Sequence, residues 1–202
     1  MSNEKLTVGS PLVLAVVASL AVFLFSCGSP VAPPSKKFVA SGLQITGALI
    51  PEGSYGRRKT RPMNPKFITI HSTQNFGRGA DARAHARLLQ RGSLTSRHNS
   101  LGYLTWRFTV DDHSIYQSLP TNEQGQHADY EGRGNQSSIG IEMCENRGNS
   151  RSATLERTAK LTAELMRRYR IPLRNLVPHQ HWKRIRYSDK RDMGPKNCPH
   201  FS

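Results

Sequence analysis

Cysteine is scarce in this sequence, no internal repeat is present, and no compact pair of metal-binding residues such as HExxH occurs. Three cysteines among 202 residues allow one intramolecular disulfide at most. The lack of a repeat argues against a solenoid, and the lack of a compact spacing means that any metal site must be assembled from distant parts of the chain. The length suits one ordinary domain with a short appendage and is too small for two well-cored domains.

Long apolar runs are also rare, and the one that stands out runs from Leu12 to Phe25. It has about the length of a signal-peptide core and is shorter than the ~20 residues that a membrane-spanning helix needs. The run ends in Leu24-Phe25-Ser26-Cys27, which resembles the bacterial lipobox. We predict a lipoprotein signal peptide over residues 1–26 and lipidation of Cys27. An uncleaved anchor helix and a plain secretory signal are the alternatives.

Each of these alternatives exports the rest of the chain. We therefore expect a protein of the cell envelope that is anchored by lipid to the periplasmic or extracellular face of a membrane. The stretch that follows Cys27 is rich in Ser, Pro, Gly and Ala up to about Gly53, a composition typical of an extended tether. The sequence thus predicts a linker over residues 27–54 and a folded domain over residues 55–202.

Acidic residues are few: 14 Asp and Glu stand against 29 Lys and Arg, which gives a formal net charge of +15. Such a field favours polyanions, meaning nucleic acid, anionic lipid head groups or acidic wall polymers, without selecting among them. Many of these cations could equally form a solvated surface. No recognisable nucleic-acid-binding motif accompanies the charge, and export disfavours that partner, so we expect no nucleic acid.

Strand-like and helix-like segments alternate along the domain. The predicted strands are residues 67–71, a hairpin over 104–119, residues 138–143 and a short segment near 175–177, and the predicted helices are about 80–91 and 154–169. This order predicts an α/β fold: a single domain with a central mixed β-sheet flanked by helices. Within it, Glu142 lies in an otherwise apolar strand, where an unpaired carboxylate is costly and needs a reason.

A hydrolytic zinc site needs three protein ligands and an open fourth position. The candidates are His71, at a predicted strand end, with His179 and Cys198. Their wide separation makes spacing alone weak evidence. His181 is a rival to His179, because an HxH pair on a strand points both rings the same way. Alternatively, Cys198 forms a disulfide with Cys144 and is not a metal ligand.

An ordered set of short motifs spans nearly the whole domain, from about Phe67 to His200. In chain order they are Ile68-Thr69-Ile70-His71-Ser72-Thr73, Thr109-Val110-Asp111-Asp112, Ile115-Tyr116-Gln117 with Pro120, Gln126-His127-Ala128, Gly134-Asn135, Ser138-Ile139-Gly140-Ile141-Glu142, Pro178-His179 and Lys196-Asn197-Cys198-Pro199. Each motif is weakly specific, whereas the set resembles the N-acetylmuramoyl-L-alanine amidases. It is most similar to the type 2 zinc amidases, which are related to phage lysins and peptidoglycan recognition proteins.

The resemblance implies roles for particular residues. His71, His179 and Cys198 become the ligands of one Zn²⁺. Glu142 becomes the general base, which explains a carboxylate in an apolar strand. Lys196 becomes the cation that faces the oxygen on which negative charge develops.

The resemblance also implies substrate contacts by His127 and by Asn135. The chain departs from many relatives at Arg107, which replaces a histidine before the hairpin and is predicted to alter substrate contacts. The spacing from His179 to Cys198 is longer than the family leads one to expect. The inserted basic loop is predicted to form one wall of the groove; its cations are Lys183, Arg184, Arg186, Lys190 and Arg191.

The activity implied is hydrolysis of the amide between the lactyl group of N-acetylmuramic acid and L-alanine, in peptidoglycan or in muropeptides, by a monomer. The alternative is a peptidoglycan-binding module that keeps the scaffold without catalysis. Non-catalytic relatives typically lack a zinc ligand, often the cysteine, whereas all three candidates are present here. The sequence therefore favours an enzyme.

Overall fold

The computed structural model of the protein describes residues 37–40, of which only the backbone is described, and residues 42–200. The predicted signal peptide, the lipidation site Cys27 and the start of the predicted linker lie outside the described residues. No helix within the described ranges has the length and apolarity that crossing a membrane requires.

A seven-stranded mixed sheet forms the centre of the fold. Its strands are β1 (Lys37–Ala40), β2 (Leu43–Gly47), β3 (Phe67–Ser72), β4 (Phe108–Val110), β5 (Ile115–Gln117), β6 (Ser138–Met143) and β7 (Leu176–Pro178), in the spatial order β1-β2-β5-β4-β6-β3-β7. The pairs β1–β2 and β4–β5 are antiparallel, and the other four pairs are parallel. The predicted fold class is confirmed.

Among the described residues, three α-helices accompany the sheet: α1 (Ala82–Gln90), α2 (Arg133–Ser137) and α3 (Arg151–Tyr169). The first begins where the Asp81 side chain accepts a hydrogen bond from the backbone N–H of Ala84 at 2.7 Å, a typical N-cap. The last ends at Arg170, whose φ of +53° breaks the helix, two residues before a proline that cannot continue it. Both long helices lie close to where the sequence places them.

The main core lies between α3 and the sheet. Leu161 and Leu165 of α3 are buried against Ile139 and Ile141 of β6, in a cluster that extends to Phe108 of β4. A smaller cluster surrounds Trp106 and includes Leu89 of α1. These contacts fix the central strands, whose carboxyl ends carry the site described below.

The prediction of a linker over residues 27–54 is wrong for the last part of that range. Strand β2 pairs in parallel with β5, and Leu43, Ile45 and Ile50 are 4%, 6% and 0% exposed. The alternation of Leu43 and Ile45 around a polar residue places both side chains on the buried face of the sheet. The alternation of buried and exposed residues in β2 is a strand pattern, and here it predicts the structure better than the tether-like composition does. The folded unit therefore includes residues from at least Leu43 onward rather than from Tyr55.

Candidate metal centre and active site

Three potential metal ligands meet at the carboxyl edge of the sheet. His71 lies near the end of β3 and His179 directly follows β7, and because these strands are parallel neighbours their ends meet at the same edge. The two Nδ1 atoms are 2.9 Å apart. One ligand atom from each of His71, His179 and Cys198 lies within 4.8 Å of the others.

Cys198 is brought to the two histidines by the C-terminal segment. Its Sγ accepts a hydrogen bond from the backbone N–H of Ser72 at 3.3 Å, and the residue is 1% exposed. Cys144 and Cys198 are both free thiols, which removes the disulfide alternative. Burial, followed by the charge of Asp111, raises the pKa of the Cys144 thiol, so that residue is an inert part of the core.

The two histidines already have the neutral state that zinc binding requires, and the Cys198 thiol must lose one proton. Burial and the neighbouring imidazoles of His179 and His127 lower the pKa of His71 well below its usual value. Burial and the charge of Lys196 lower the pKa of His179 to about 4. Burial and the charge of Glu142 raise the pKa of Cys198 to about 11. Two neutral imidazoles and one thiol form a donor set that zinc prefers, and the residues present therefore fit this metal.

Glu142 stands beside these ligands. It is the register partner of His71 across the parallel β3–β6 pair, and its Oε1 lies 3.9 Å from His71 Nδ1. Its Oε2 is buried without a hydrogen-bond partner among the described residues. Burial raises the pKa of Glu142 to about 7, which the charge of Lys196 opposes and that of Glu145 reinforces. A carboxylate with this pKa can accept and return a proton near neutral pH.

Lys196 lies close enough to influence the candidate ligands and Glu142. Its charge lowers the pKa values of His71, His179 and Glu142. It also lines a groove that opens beside His179. No ion pair joins Lys196 to a carboxylate within the described residues, so its ammonium group is available to a negative group in the groove.

His127 contacts both the groove and a candidate ligand. Its Nδ1 lies 3.0 Å from Nε2 of His71, and its Nε2 lies 3.3 Å from the carbonyl oxygen of Ser138. A metal held through Nδ1 of His71 would leave the proton on Nε2, which then donates to His127. The sequence predicted a substrate contact for His127; the structure adds an orienting contact to His71 that sequence motifs did not indicate.

Arg107 is not positioned to bind a substrate, and the prediction is wrong. Its side chain is fully buried, at 0% exposure. The guanidinium donates to the carbonyl oxygen of Glu123 and to Sδ of Met63, and lies 3.3 Å from Nε2 of His127. Burial lowers the pKa of Arg107 to about 9. The residue supports His127 from inside the protein, because the chain just before β4 directs it inward.

Asn135 makes its hydrogen bonds to neighbouring backbone groups. Its side-chain oxygen accepts from the backbone N–H groups of His127 and Ala128, each at 2.8 Å, and its amide nitrogen donates to the carbonyl oxygen of Tyr130. The residue is 1% exposed. These contacts occupy both ends of the amide, so Asn135 positions His127. Asn135 also lines the groove, and its contact with a substrate stays a prediction.

His181 does not join the donor cluster. The chain turns into a 3-10 helix over His179–His181, whereas the prediction of a shared direction assumed a strand. In a 3-10 helix, residues two apart point to different sides. His181 is exposed and its ring stacks edge-on against Trp182 at 4.6 Å between centroids.

The groove beside the ligands has a volume of about 140 Å³. Its walls come from the segments 96–104, 126–135 and 184–196, with His179 at the metal end. His98 belongs to this wall, yet it falls in no motif. Only the tertiary arrangement identifies it.

Comparison with known proteins agrees with this geometry. The family model described as N-acetylmuramoyl-L-alanine amidase matches residues 61–201. The chain is 44% identical over 141 residues to N-acetylmuramoyl-L-alanine amidase XlyA of Bacillus subtilis (strain 168), covering 69% of this chain and 44% of XlyA. It is 40% identical over 122 residues to N-acetylmuramoyl-L-alanine amidase CwlH of the same organism, covering 59% of this chain and 46% of CwlH. The chain thus spans a little under half the length of these two relatives.

Solved structures show the same fold. A mutant endolysin from Bacillus subtilis superposes with a TM-score of 0.63 at 43% identity, covering 69% of this chain and 86% of that one. The catalytic domain of XlyA superposes with a TM-score of 0.61 at 43% identity, covering 68% of this chain and 85% of that one. Since the family model matches well over half of the chain, and the motif residues converge on one site, the chain belongs to the N-acetylmuramoyl-L-alanine amidase family.

Proposed function

We propose that this protein is a zinc-dependent N-acetylmuramoyl-L-alanine amidase that hydrolyses the amide between the lactyl group of N-acetylmuramic acid and L-alanine in peptidoglycan. The observation that carries this proposal is the meeting of His71, His179 and Cys198 within 4.8 Å, next to a carboxylate whose pKa is about 7. Family membership supplies the bond and the substrate class.

Zinc held by these three ligands would polarise the scissile carbonyl and make an attacking water more acidic. The chain's own groups supply the proton transfers. Glu142 accepts a proton as water adds to the carbonyl carbon, and it returns the proton to the departing nitrogen of L-alanine as the C–N bond breaks. The products are the lactyl carboxylic acid and a free amino group.

Lys196 contributes charge stabilisation. During attack the carbonyl oxygen gains negative charge, and a cation fixed nearby in a partly enclosed groove stabilises that charge more than bulk water would. The position of Lys196, two residues before Cys198, ties it to the same segment that delivers the third ligand. Carbonyl activation and ligand placement therefore depend on one stretch of chain.

Purified sacculi and defined muropeptides, with and without a chelator, test the proposal. We expect release of stem peptides with a free L-alanine amino terminus, detected by mass spectrometry, loss of release with chelator and recovery with added zinc. Glu142→Ala should retain zinc and lose activity by about 10²- to 10⁴-fold. Glu156→Gln, at a side chain that is 67% exposed on α3, is the matched control and should retain activity.

The alternative, a non-catalytic peptidoglycan-binding module, makes a different prediction. It would bind sacculi and one equivalent of zinc without releasing any peptide. The presence of all three ligands together with Glu142 favours the enzyme, because a binding module has no need of a carboxylate with a raised pKa beside the metal.

Export and lipid attachment through Cys27 are part of the proposal and rest on the sequence, as does the monomeric state. They agree with a substrate that lies outside the cytoplasm. Growth with a labelled fatty acid should label the wild-type protein and leave Cys27→Ala unlabelled. A label on both proteins, or on neither, would contradict attachment at this cysteine.

A further inference from the structure

The long spacing between His179 and Cys198 is occupied by a backbone-paired hairpin over residues 184–194. The backbone N–H of Met193 donates to the carbonyl oxygen of Arg184 at 2.7 Å, and that of Arg186 donates to Arg191 at 2.9 Å. The hairpin therefore has a defined register. It places Arg184 at its base, on the side of the groove.

Two contacts hold this hairpin against the other walls of the groove. The backbone N–H of Tyr187 donates to the carbonyl oxygen of Arg97 at 3.3 Å. The Lys190 ammonium donates to the Tyr130 hydroxyl at 2.5 Å and lies 4.2 Å and 4.5 Å from the ring centroids of Tyr130 and Tyr187. Cation–aromatic contacts of this kind stabilise the docked hairpin. The tip of the hairpin is thereby held against the segments that carry Arg97 and Tyr130.

Arg184 is the cation of the hairpin that lines the groove, and its partners differ from those of two neighbouring cations. Lys183 pairs with Asp192 and Arg186 pairs with Asp189, both at 3.2 Å. The Arg184 guanidinium donates through Nη2 to the carbonyl oxygen of Met193 at 3.0 Å, while its Nε is buried with no hydrogen-bond partner. No carboxylate pairs with Arg184 among the residues that the structure describes. Because the Arg184 side chain lines the groove and makes one hydrogen bond among the described residues, its guanidinium can offer charge-assisted hydrogen bonds to an anion there.

Arg184 shares the groove lining with a second cation, Lys196. His98, also in the groove wall, has a buried Nδ1 without a partner in the described part of the chain. Burial, followed by the charges of Arg184, Arg186 and Lys196, lowers the pKa of His98. The described residues that line the groove include no Asp or Glu.

Resting on the amidase function proposed above, we infer that this groove binds a free carboxylate of the stem peptide, and that Arg184 is the residue that selects an acidic peptide over an amidated one. The groove, with a volume of about 140 Å³, holds several water-sized groups, which suits a carboxylate with a short length of peptide. A carboxylate offers two acceptor oxygens and a full charge to the guanidinium, whereas a carboxamide offers one oxygen and no charge.

Two synthetic muramyl tripeptides test this inference: one with free carboxylates on the residues after L-alanine, and one with carboxamides in their place. For the wild-type protein we expect kcat/KM to be at least tenfold higher on the acidic peptide. In Arg184→Gln the ratio should fall to within about twofold, mainly through a higher KM for the acidic peptide. Arg184→Lys, which keeps the charge but not the fork of donors, should retain an intermediate preference.

Arg191→Gln is the matched control, because Arg191 lies exposed in the same hairpin and outside the groove lining. It should keep the wild-type ratio. An unchanged ratio in Arg184→Gln, or equal rates of the wild type on both peptides, would overturn the inference and leave the amidase function intact. Absence of hydrolysis of both peptides would overturn the proposed function instead, and calorimetric binding of each peptide would then decide the carboxylate preference separately.

Discussion

Zinc binding should release one proton from this site at mildly alkaline pH, because the thiol of Cys198 must ionise to become a ligand. Its pKa in the metal-free protein is about 11. The pKa of His179 is about 4 and that of His71 is also depressed, so both imidazoles are already neutral and release nothing. Glu142, with a pKa of about 7, is largely ionised above pH 8.

The magnitude follows from these values. Between about pH 7.5 and 9 the affinity for zinc should rise roughly tenfold per pH unit, which is about 1.4 kcal/mol per unit and about 2 kcal/mol over the interval. Below pH 7 the slope should steepen toward two protons, since Glu142 is then protonated without zinc and ionised beside it. Glu142→Gln removes that second proton and should keep the slope near one.

Competition with a chromophoric chelator, corrected for the chelator's own protonation, measures the slope. Calorimetry at pH 8 in buffers of different ionisation enthalpy counts the protons directly. Cys144→Ala is the control and should leave both results unchanged, since Cys144 is outside the donor cluster. A count of zero protons at pH 8 would refute the assignment of Cys198 as a buried neutral thiol, and a count of two would mean that a second group, a histidine or a zinc-bound water, also loses a proton on binding.

Three further predictions concern the scaffold. A chain that begins at Tyr55 should lose about 3–6 kcal/mol of unfolding free energy relative to one that begins at Gly42, because the buried side chains of Leu43 and Ile45 are removed; equal denaturant midpoints would show that β2 contributes nothing. Asn135→Ala leaves two buried N–H groups unpaired and should lower the unfolding free energy by about 1–3 kcal/mol for each group. Because Asn135 positions His127, the variant should also bind zinc more weakly, which chelator competition would detect. Leu161→Ala should cost about 2–5 kcal/mol in urea unfolding, whereas Leu173→Ala, at a side chain that is 72% exposed, should cost far less, and similar losses would contradict the core placement.

Local patterns predicted the long elements well. Helix α3 shows a helical repeat of apolar positions, and β6 is an apolar run bounded by polar residues. The type of each element could therefore be predicted from its own sequence, without knowledge of what packs against it. The boundary of the domain was harder. A composition of Ser, Pro and Gly describes both a tether and an edge segment, and only the pairing of β2 with β5 distinguishes them.

The side-chain roles of Arg107, Asn135 and His181 could not be obtained from sequence. Arg107 was predicted to alter substrate contacts because it departs from the family, Asn135 was predicted to contact the substrate, and His181 was the rival of His179 as a metal ligand. The direction of a side chain depends on the backbone conformation at that residue, and a motif does not specify it. Arg107 turns inward before β4, and the 3-10 turn at His179 carries His181 away from the ligands.

The sequence by itself determined the class of the fold, the identity of the family and the set of residues able to hold a metal, because these depend on local periodicity and on residue types kept in a fixed order. The tertiary structure decided which groups share one microenvironment. Burial next to His71 raises the pKa of Glu142, and a docked hairpin leaves Arg184 unpaired at the groove. Both effects come from groups distant in the chain and close in space, since desolvation and Coulomb interactions depend on distance in three dimensions.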